Sequence, residues 1–309
     1  MAQAESGGGL PGRTGEAEPL PPEPGGILWD SAGDIRMLLA LPAALTLQVA
    51  HPAVGAGVAE HSVYRTDPWG RGARSLRSVL LWVYGGPAAA EEGRRLRALH
   101  RTISGTDTRG RPYRALTPAT YAWVHATGFP VFHHCRRYLY GRPYTPEEER
   151  RVYAEWLQVG RVLGLREGDM PGSVEEFWPY YRRMLPELEA TPVVRDLVDA
   201  GLPVPPPDRG PRALLLPLRA LWPLLRRPAG HFRRFIILGL LPPDARTTLG
   251  LPWTPRQERR LRHLSRCLTL LVPRLPERLR YLPAARRART AHRATSTGDA
   301  PNRPRTAGT

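Results

Sequence analysis

Four segments of the chain announce a helix start: Thr117-Pro118, Thr145-Pro146-Glu147-Glu148, Ser173-Val174-Glu175-Glu176 and Thr254-Pro255-Arg256-Gln257. In such a start the hydroxyl accepts a bond from an otherwise unpaired N–H of the first turn. A Glu or Gln three residues on reciprocates, and proline at the first helical position gives up only an N–H that has no partner there. The chain has no comparable alternating β-branched runs, so little sheet is expected. The expected fold class is all-α: one multi-helix globular domain.

Taken in order, residues 1–26 are rich in Gly, Pro and Glu and read as a disordered leader. Structure is expected from Ile27-Leu28-Trp29, with Asp30 or Ser31 as the first N-cap. Met37, Leu38, Leu39, Leu41, Leu45, Leu47 and Val49 form a helical segment apolar nearly all round, which belongs inside the protein. Pro42 is expected to split or kink it, and His51-Pro52 to end it, because a residue before proline is pushed out of the helical region. Gly55 and Gly57, among Ala53, Ala56 and Ala59, leave almost no side-chain volume on the next turns. Glycine inside a helix costs about 1 kcal/mol against alanine, so close approach of a neighbouring helix, or of a planar macrocycle, should compensate.

Ser75–Tyr84 and Ala88–Ile103 read as two further helices parted at Gly85-Gly86-Pro87, with Leu96, Leu99, His100 and Ile103 on one face of the second. Residues 105–111 read as a polar loop. A helix is expected from Thr117 to about Tyr140, carrying Tyr121, Val124, His125, Gly128 and Phe132 on one side. A proline-rich connector, 202–212, leads to an apolar segment, 213–241, interrupted by Pro217, Pro223 and Pro228 and studded with arginine. The domain is expected to close near Tyr281, leaving 282–309 as a basic, disordered tail.

The net charge of +17 is carried entirely by arginine, since the chain has no lysine. With 35 prolines and 30 glycines this looks like the coding bias of a GC-rich genome. Together with the absence of a groove-reading motif, that weighs against nucleic acid as a partner. The two cysteines, Cys135 and Cys267, do not indicate a disulfide framework. No signal peptide is visible, and no uncharged apolar run reaches the roughly 18–20 residues of a membrane span, so a cytoplasmic protein is expected. The 213–241 segment fits a peripheral contact with an anionic membrane or a hydrophobic substrate entrance. The plainer reading is a core helix pair with arginine stems turned outward.

One stretch, Leu47 to Gly105, gathers three histidines (His51, His61, His100), several arginines and a run of very small residues. That mixture suits a flat, apolar cofactor charged at one edge, such as haem. The chain resembles the MpaB/rubber-oxygenase family, which includes latex-clearing proteins and fungal oxygenases that cleave prenyl side chains. The resembling segments are Leu47–Ser62, Asp67-Pro68-Trp69-Gly70-Arg71, Arg97-Ala98-Leu99-His100, Gly110-Arg111-Pro112-Tyr113, Trp123-Val124-His125-Ala126-Thr127 and Leu241–Trp253. The resemblance implies an all-helical fold and haem b held by one axial histidine. The Arg-x-x-His motif maps onto Arg97 and His100, which makes His100 the iron ligand, and an arginine beside the haem maps onto Arg71. In the latex-clearing branch a Lys-Thr pair follows that arginine by three and four residues, whereas this chain has Arg74 and Ser75. A guanidinium does not lose its proton, so Arg74 cannot ligate iron as a lysine might. That departure, with the lack of a secretion signal, argues against an extracellular polymer as substrate.

The remaining candidates keep plainer alternatives beside the functional ones. His51 either bonds a carbonyl at a helix end or lines the cofactor pocket. His125 and His61 are read first as structural, with a distal or supporting role as the alternative. Gly57 either packs against a helix or lies against the macrocycle. Neighbouring helical positions point about 100° apart, so His133-His134-Cys135 does not converge on one zinc. The reading is a haem b oxygenase that brings dioxygen to a small apolar substrate, unsaturated or isoprenoid-like, with Arg71 and Arg74 near the reacting centre. The alternative is a basic helical binding or scaffold protein without catalytic haem.

Overall fold

The computed structural model describes residues 18–208 and 212–298. The expected N-terminal helix forms, but its start is fixed from a distance. Helix α1 (Ile27–Ala32) begins at Gly26, and Asp30 and Ser31 lie inside it. The carboxylate of Glu155 accepts from the amides of Ile27 (2.9 Å) and Leu28 (2.5 Å), placing negative charge at the positive end of the helix. Asp34 caps a short 3-10 turn, Ile35–Leu39, instead. Pro42 does not break a helix; it lies in the first turn of α2 (Leu41–Val49), where its missing N–H costs nothing. His51 is extended, as a residue before proline must be, and α3 runs Pro52–His61.

Helices α4 (Pro68–Tyr84) and α5 (Ala88–His100) follow. Most of the expected polar loop, 107–111, is the turn of a β-hairpin: β1 (Ser104–Thr106) pairs antiparallel with β2 (Pro112–Arg114), with Gly105 opposite Tyr113. The connecting turn needs a positive φ at Gly110 (75°), and Asp107 accepts from the amides of Arg109 and Arg111 inside it. The long helix expected from Thr117 divides at Thr127 into α6 (Pro118–Ala126) and α7 (Gly128–Leu139). Then come α8 (Pro146–Val162), α9 (Val174–Met184), α10 (Pro192–Val198), α11 (Arg212–Leu240), α12 (Pro243–Thr248), α13 (Pro255–Leu271), α14 (Glu277–Arg280) and α15 (Pro283–Gly298). Thr145 and Thr254 each form the complete reciprocal cap, and Ser173 accepts from the amide of Glu176.

This all-α domain is built on an aromatic centre. Phe129 of α7 meets Tyr153 of α8 and Phe177 of α9 edge-on, each at 4.9 Å between ring centres. Helices α2 and α3 pack on one another, on α10 and, for α2, on α7 and α11; α4 and α5 pack on one another and on α8. No single described helix is long and apolar enough to cross a membrane. The bent pair Ile35–Val49 and Pro52–His61, at 108°, has the length and composition to do so. In the fold, however, Ala43, Leu47 and Val49 of that pair are fully buried.

The 283–298 segment, read as part of a disordered tail, is helical and docked. Ala285 is fully buried against Gly33, Leu282 donates to the Gly33 carbonyl, and Arg289 bonds Asp30 at 2.7 Å. Asp34, 1 % exposed, holds Arg36 at 2.6 Å and Arg280 at 3.3 Å. Arg36 apart, these partners lie some 250 residues away in sequence, so a local composition reading does not find them. Residues 299–309 of that expected tail, and 1–17 of the expected leader, lie outside the described residues.

Candidate functional site

His100 is the last residue of α5, half-buried, and its Nδ1 lies 2.7 Å from the carbonyl of Leu96 one turn earlier. A carbonyl only accepts, so this contact fixes the proton on Nδ1 and leaves the Nε2 lone pair uncommitted. The ring sits edge-on to Tyr121 of α6 at 6.4 Å. Arg97 stacks its guanidinium over the same Tyr121 ring at 5.2 Å and donates to the Gly164 carbonyl at 3.3 Å. Tyr121 is therefore the common platform of the Arg-x-x-His pair. Its hydroxyl is bound to the Leu163 carbonyl at 3.0 Å, and burial raises its pKa. The sequence placed Tyr121 on the face of His125, but nothing local marked it as the neighbour of His100.

Arg71 leaves the first turn of α4 toward α3. Its Nε donates to Ser62 Oγ at 2.9 Å and its Nη1 to Ser75 Oγ at 3.2 Å. Burial, followed by the charge of Arg74, lowers its pKa, and no carboxylate pairs with it among the described residues. A desolvated cation satisfied only by hydroxyls has capacity left for an anion. Arg74 is turned elsewhere: exposed, it bonds Asp67 at 3.1 Å.

His51, at the start of α3, lies 6.3 Å from Trp123 between ring centres. Its Nδ1 and the Trp123 Nε1 are both buried without a hydrogen-bond partner. Burial, then the charge of Arg111, lowers the His51 pKa, so the ring is neutral at physiological pH.

His125 faces away from this region. Its Nε2 bonds the Trp156 carbonyl at 2.8 Å, its ring stacks on Trp156 at 5.2 Å, and burial drops its pKa to about 4. Of the two readings of His125, the structural one accounts for its contacts. The same holds for Gly57, where an added Cβ would lie 3.4 Å from Tyr113 and 3.7 Å from Ile103. The small-residue stripe therefore seats the hairpin, and Gly55 likewise seats Thr191.

His61 is exposed beside Glu60 at 3.7 Å. His133 turns to Glu149 at 3.1 Å, while Cys135 is buried near the Leu240 carbonyl, so the trio diverges. Both cysteines are free. Among the described residues there is no group of three or more His, Cys, Asp or Glu able to hold a metal ion.

The sequence model of the family described as "ER-bound oxygenase mpaB/B'/Rubber oxygenase, catalytic domain" matches residues 29–270. The chain belongs to this family. Two mycobacterial relatives are similar along nearly their whole length: the uncharacterized proteins Mb2261 of Mycobacterium bovis and Rv2237 of Mycobacterium tuberculosis. Each is 29% identical over 245 residues, covering 77% of this chain and 90% of the relative. No solved structure matches. The matched span runs from α1 into α13 and includes His51, Arg71, Arg97, His100 and Tyr121.

Proposed function

We propose that the chain is a haem b oxygenase acting on a small apolar substrate, with His100 as the axial ligand. The observation that carries the reading is an anchored imidazole at the histidine position that the family likeness marks. The described residues offer no cluster of protein ligands for a bare ion, and His100 presents one lone pair with its other nitrogen already anchored. A porphyrin supplies four nitrogen donors of its own, so one such histidine suffices. The donor set therefore fits haem and does not fit a bare iron site.

When bound, haem would supply the oxygen activation that no side chain here supplies. The chain's own residues have separate tasks. The Leu96 carbonyl holds the His100 tautomer and makes Nε2 a better donor. Arg97, stacked on Tyr121 and tied to Gly164, keeps the ring of Tyr121 against His100. Arg71, steadied by Ser62 and Ser75, would take a propionate as the anion its surroundings lack. Arg74 has no task at iron, being engaged with Asp67. The choice of an apolar, unsaturated or isoprenoid-like substrate rests on the family likeness and not on a cavity.

The test is absorption spectroscopy of the protein purified after expression with haem supplied. The wild type is expected to show a Soret band that His100→Ala removes. Arg71→Gln is expected to retain the fold and release haem faster. A wild type that takes up no haem on reconstitution, or a His100→Ala protein with an unchanged spectrum, overturns the assignment and leaves the scaffold reading. For a haem-loaded protein, incorporation of labelled dioxygen into unsaturated lipids, read by mass spectrometry, tests the reaction class.

A further inference from the structure

Helix α11 is 29 residues long, which at the usual rise is about 43 Å, yet only its C-terminal third is enclosed. Ile236, Ile237, Leu238 and Leu240 are buried in the core. Before them the helix runs along the outside, held through Trp222, which donates to the Val204 carbonyl at 2.9 Å and meets Trp69 edge-on at 6.3 Å. One exposed side of this part is apolar: Leu221 is 50 % exposed, Leu224 74 %, Leu225 38 % and Phe232 50 %. At about 100° per residue, Leu221, Leu224, Leu225 and Phe232 share one arc of the helix, and Arg219, Arg226 and Arg227 fall outside it. Between Asp208 and Asp244 the chain has no acidic residue.

An uncovered apolar stripe of this length calls for an occupant. The residues outside the described ones do not supply one: 1–17 contain Leu10 and Met1 as their only large apolar residues, and 209–211 and 299–309 contain none. A second copy docked two-fold on the stripe would bring its own arginines alongside Arg219, Arg226 and Arg227, with no acid on either helix to offset them. A lipid surface bearing negative headgroups answers both features.

We propose that the outer part of α11 is a membrane-surface helix. It lays Leu221, Leu224, Leu225 and Phe232 into the boundary of an anionic bilayer, while Arg219, Arg226 and Arg227 stay at the level of the headgroups. The Trp69–Trp222 contact joins this helix to the first turn of α4, which also carries Arg71 two residues on, so a lipid-dissolved substrate would arrive near the candidate site. The surface does not require haem and stands whether or not the oxygenase reading holds.

Flotation of the full chain with phosphatidylcholine vesicles, with and without phosphatidylglycerol, tests it. The protein is expected to float with the anionic vesicles only. Leu221→Gln with Leu224→Gln leaves the net charge unchanged and is expected to lower partitioning at least about tenfold. Arg226→Gln with Arg227→Gln is expected to lower it about fivefold per arginine at low salt. Circular dichroism checks that each variant keeps its helix content. Three results would overturn the proposal: no flotation; flotation untouched by the leucine changes and abolished by salt, which is adsorption by net charge; or a wild-type dimer that the leucine changes convert to monomer.

Discussion

Gly93 lies where α5 crosses α8, and a Cβ built there would fall 2.0 Å from the Val162 carbonyl oxygen and 3.0 Å from its carbon. Both obstacles are backbone, so no side chain can swing aside. Gly93→Ala gains about 1 kcal/mol of helix propensity. It must also push α5 off α8 by an ångström or more, and overpacking of that kind costs about 1–3 kcal/mol or more. With both obstacles in the backbone the upper end of that cost applies, and the net expectation is a loss of about 2 kcal/mol or more. Gly72→Ala on α4 is the matched control: that Cβ meets nothing within 4 Å, so only the propensity gain remains, up to about 1 kcal/mol. Urea midpoints of wild type and both variants at neutral pH measure the two shifts, which should have opposite signs. Because α5 carries His100 at its end, Gly93→Ala should also weaken any haem signal. If Gly93→Ala stabilises the protein as much as Gly72→Ala does, the close crossing of α5 and α8 is not a feature of the native fold.

Two further expectations follow from buried charge. His125 and His134 both have their pKa depressed by burial to about 4, below the unfolded value, so the native state favours the neutral rings. Their contribution is fully present above about pH 6.5 and is lost as pH falls toward 4, by up to roughly 3 kcal/mol each. Denaturation midpoints across that window should fall, and His125→Phe should flatten the slope; a flat wild-type profile counts against it. Asp34→Ala strips the buried Arg36 of its carboxylate and should cost about 3–5 kcal/mol, measured by denaturant titration; a loss under about 1 kcal/mol would mean that water reaches this pair.

What was legible in the sequence was local. The Thr145 and Thr254 caps read directly, because donor and acceptor lie within four residues. The Arg97–His100 spacing was legible for the same reason. Features that depend on distant partners were not. Glu155 at the start of α1, Tyr121 beneath His100, and Gly33 receiving Ala285 all rely on contacts that no window of the chain contains. The prolines of α11 were overread as breaks. Most of that segment is exposed, where water takes the carbonyls that proline leaves without a donor, and the helix continues through Pro217, Pro223 and Pro228.

The docking of α15 on Gly33 and of Arg280 on Asp34 sets an order on biosynthesis. The face formed by α1 and α4 emerges from the ribosome early, while the residues that seal it are translated some 250 positions later. At about 5–20 residues per second, Trp29 and its neighbours wait for tens of seconds before their cover arrives. During that interval the nascent chain depends on a chaperone, or on local structure alone, to keep an unfinished apolar surface from finding the wrong mate.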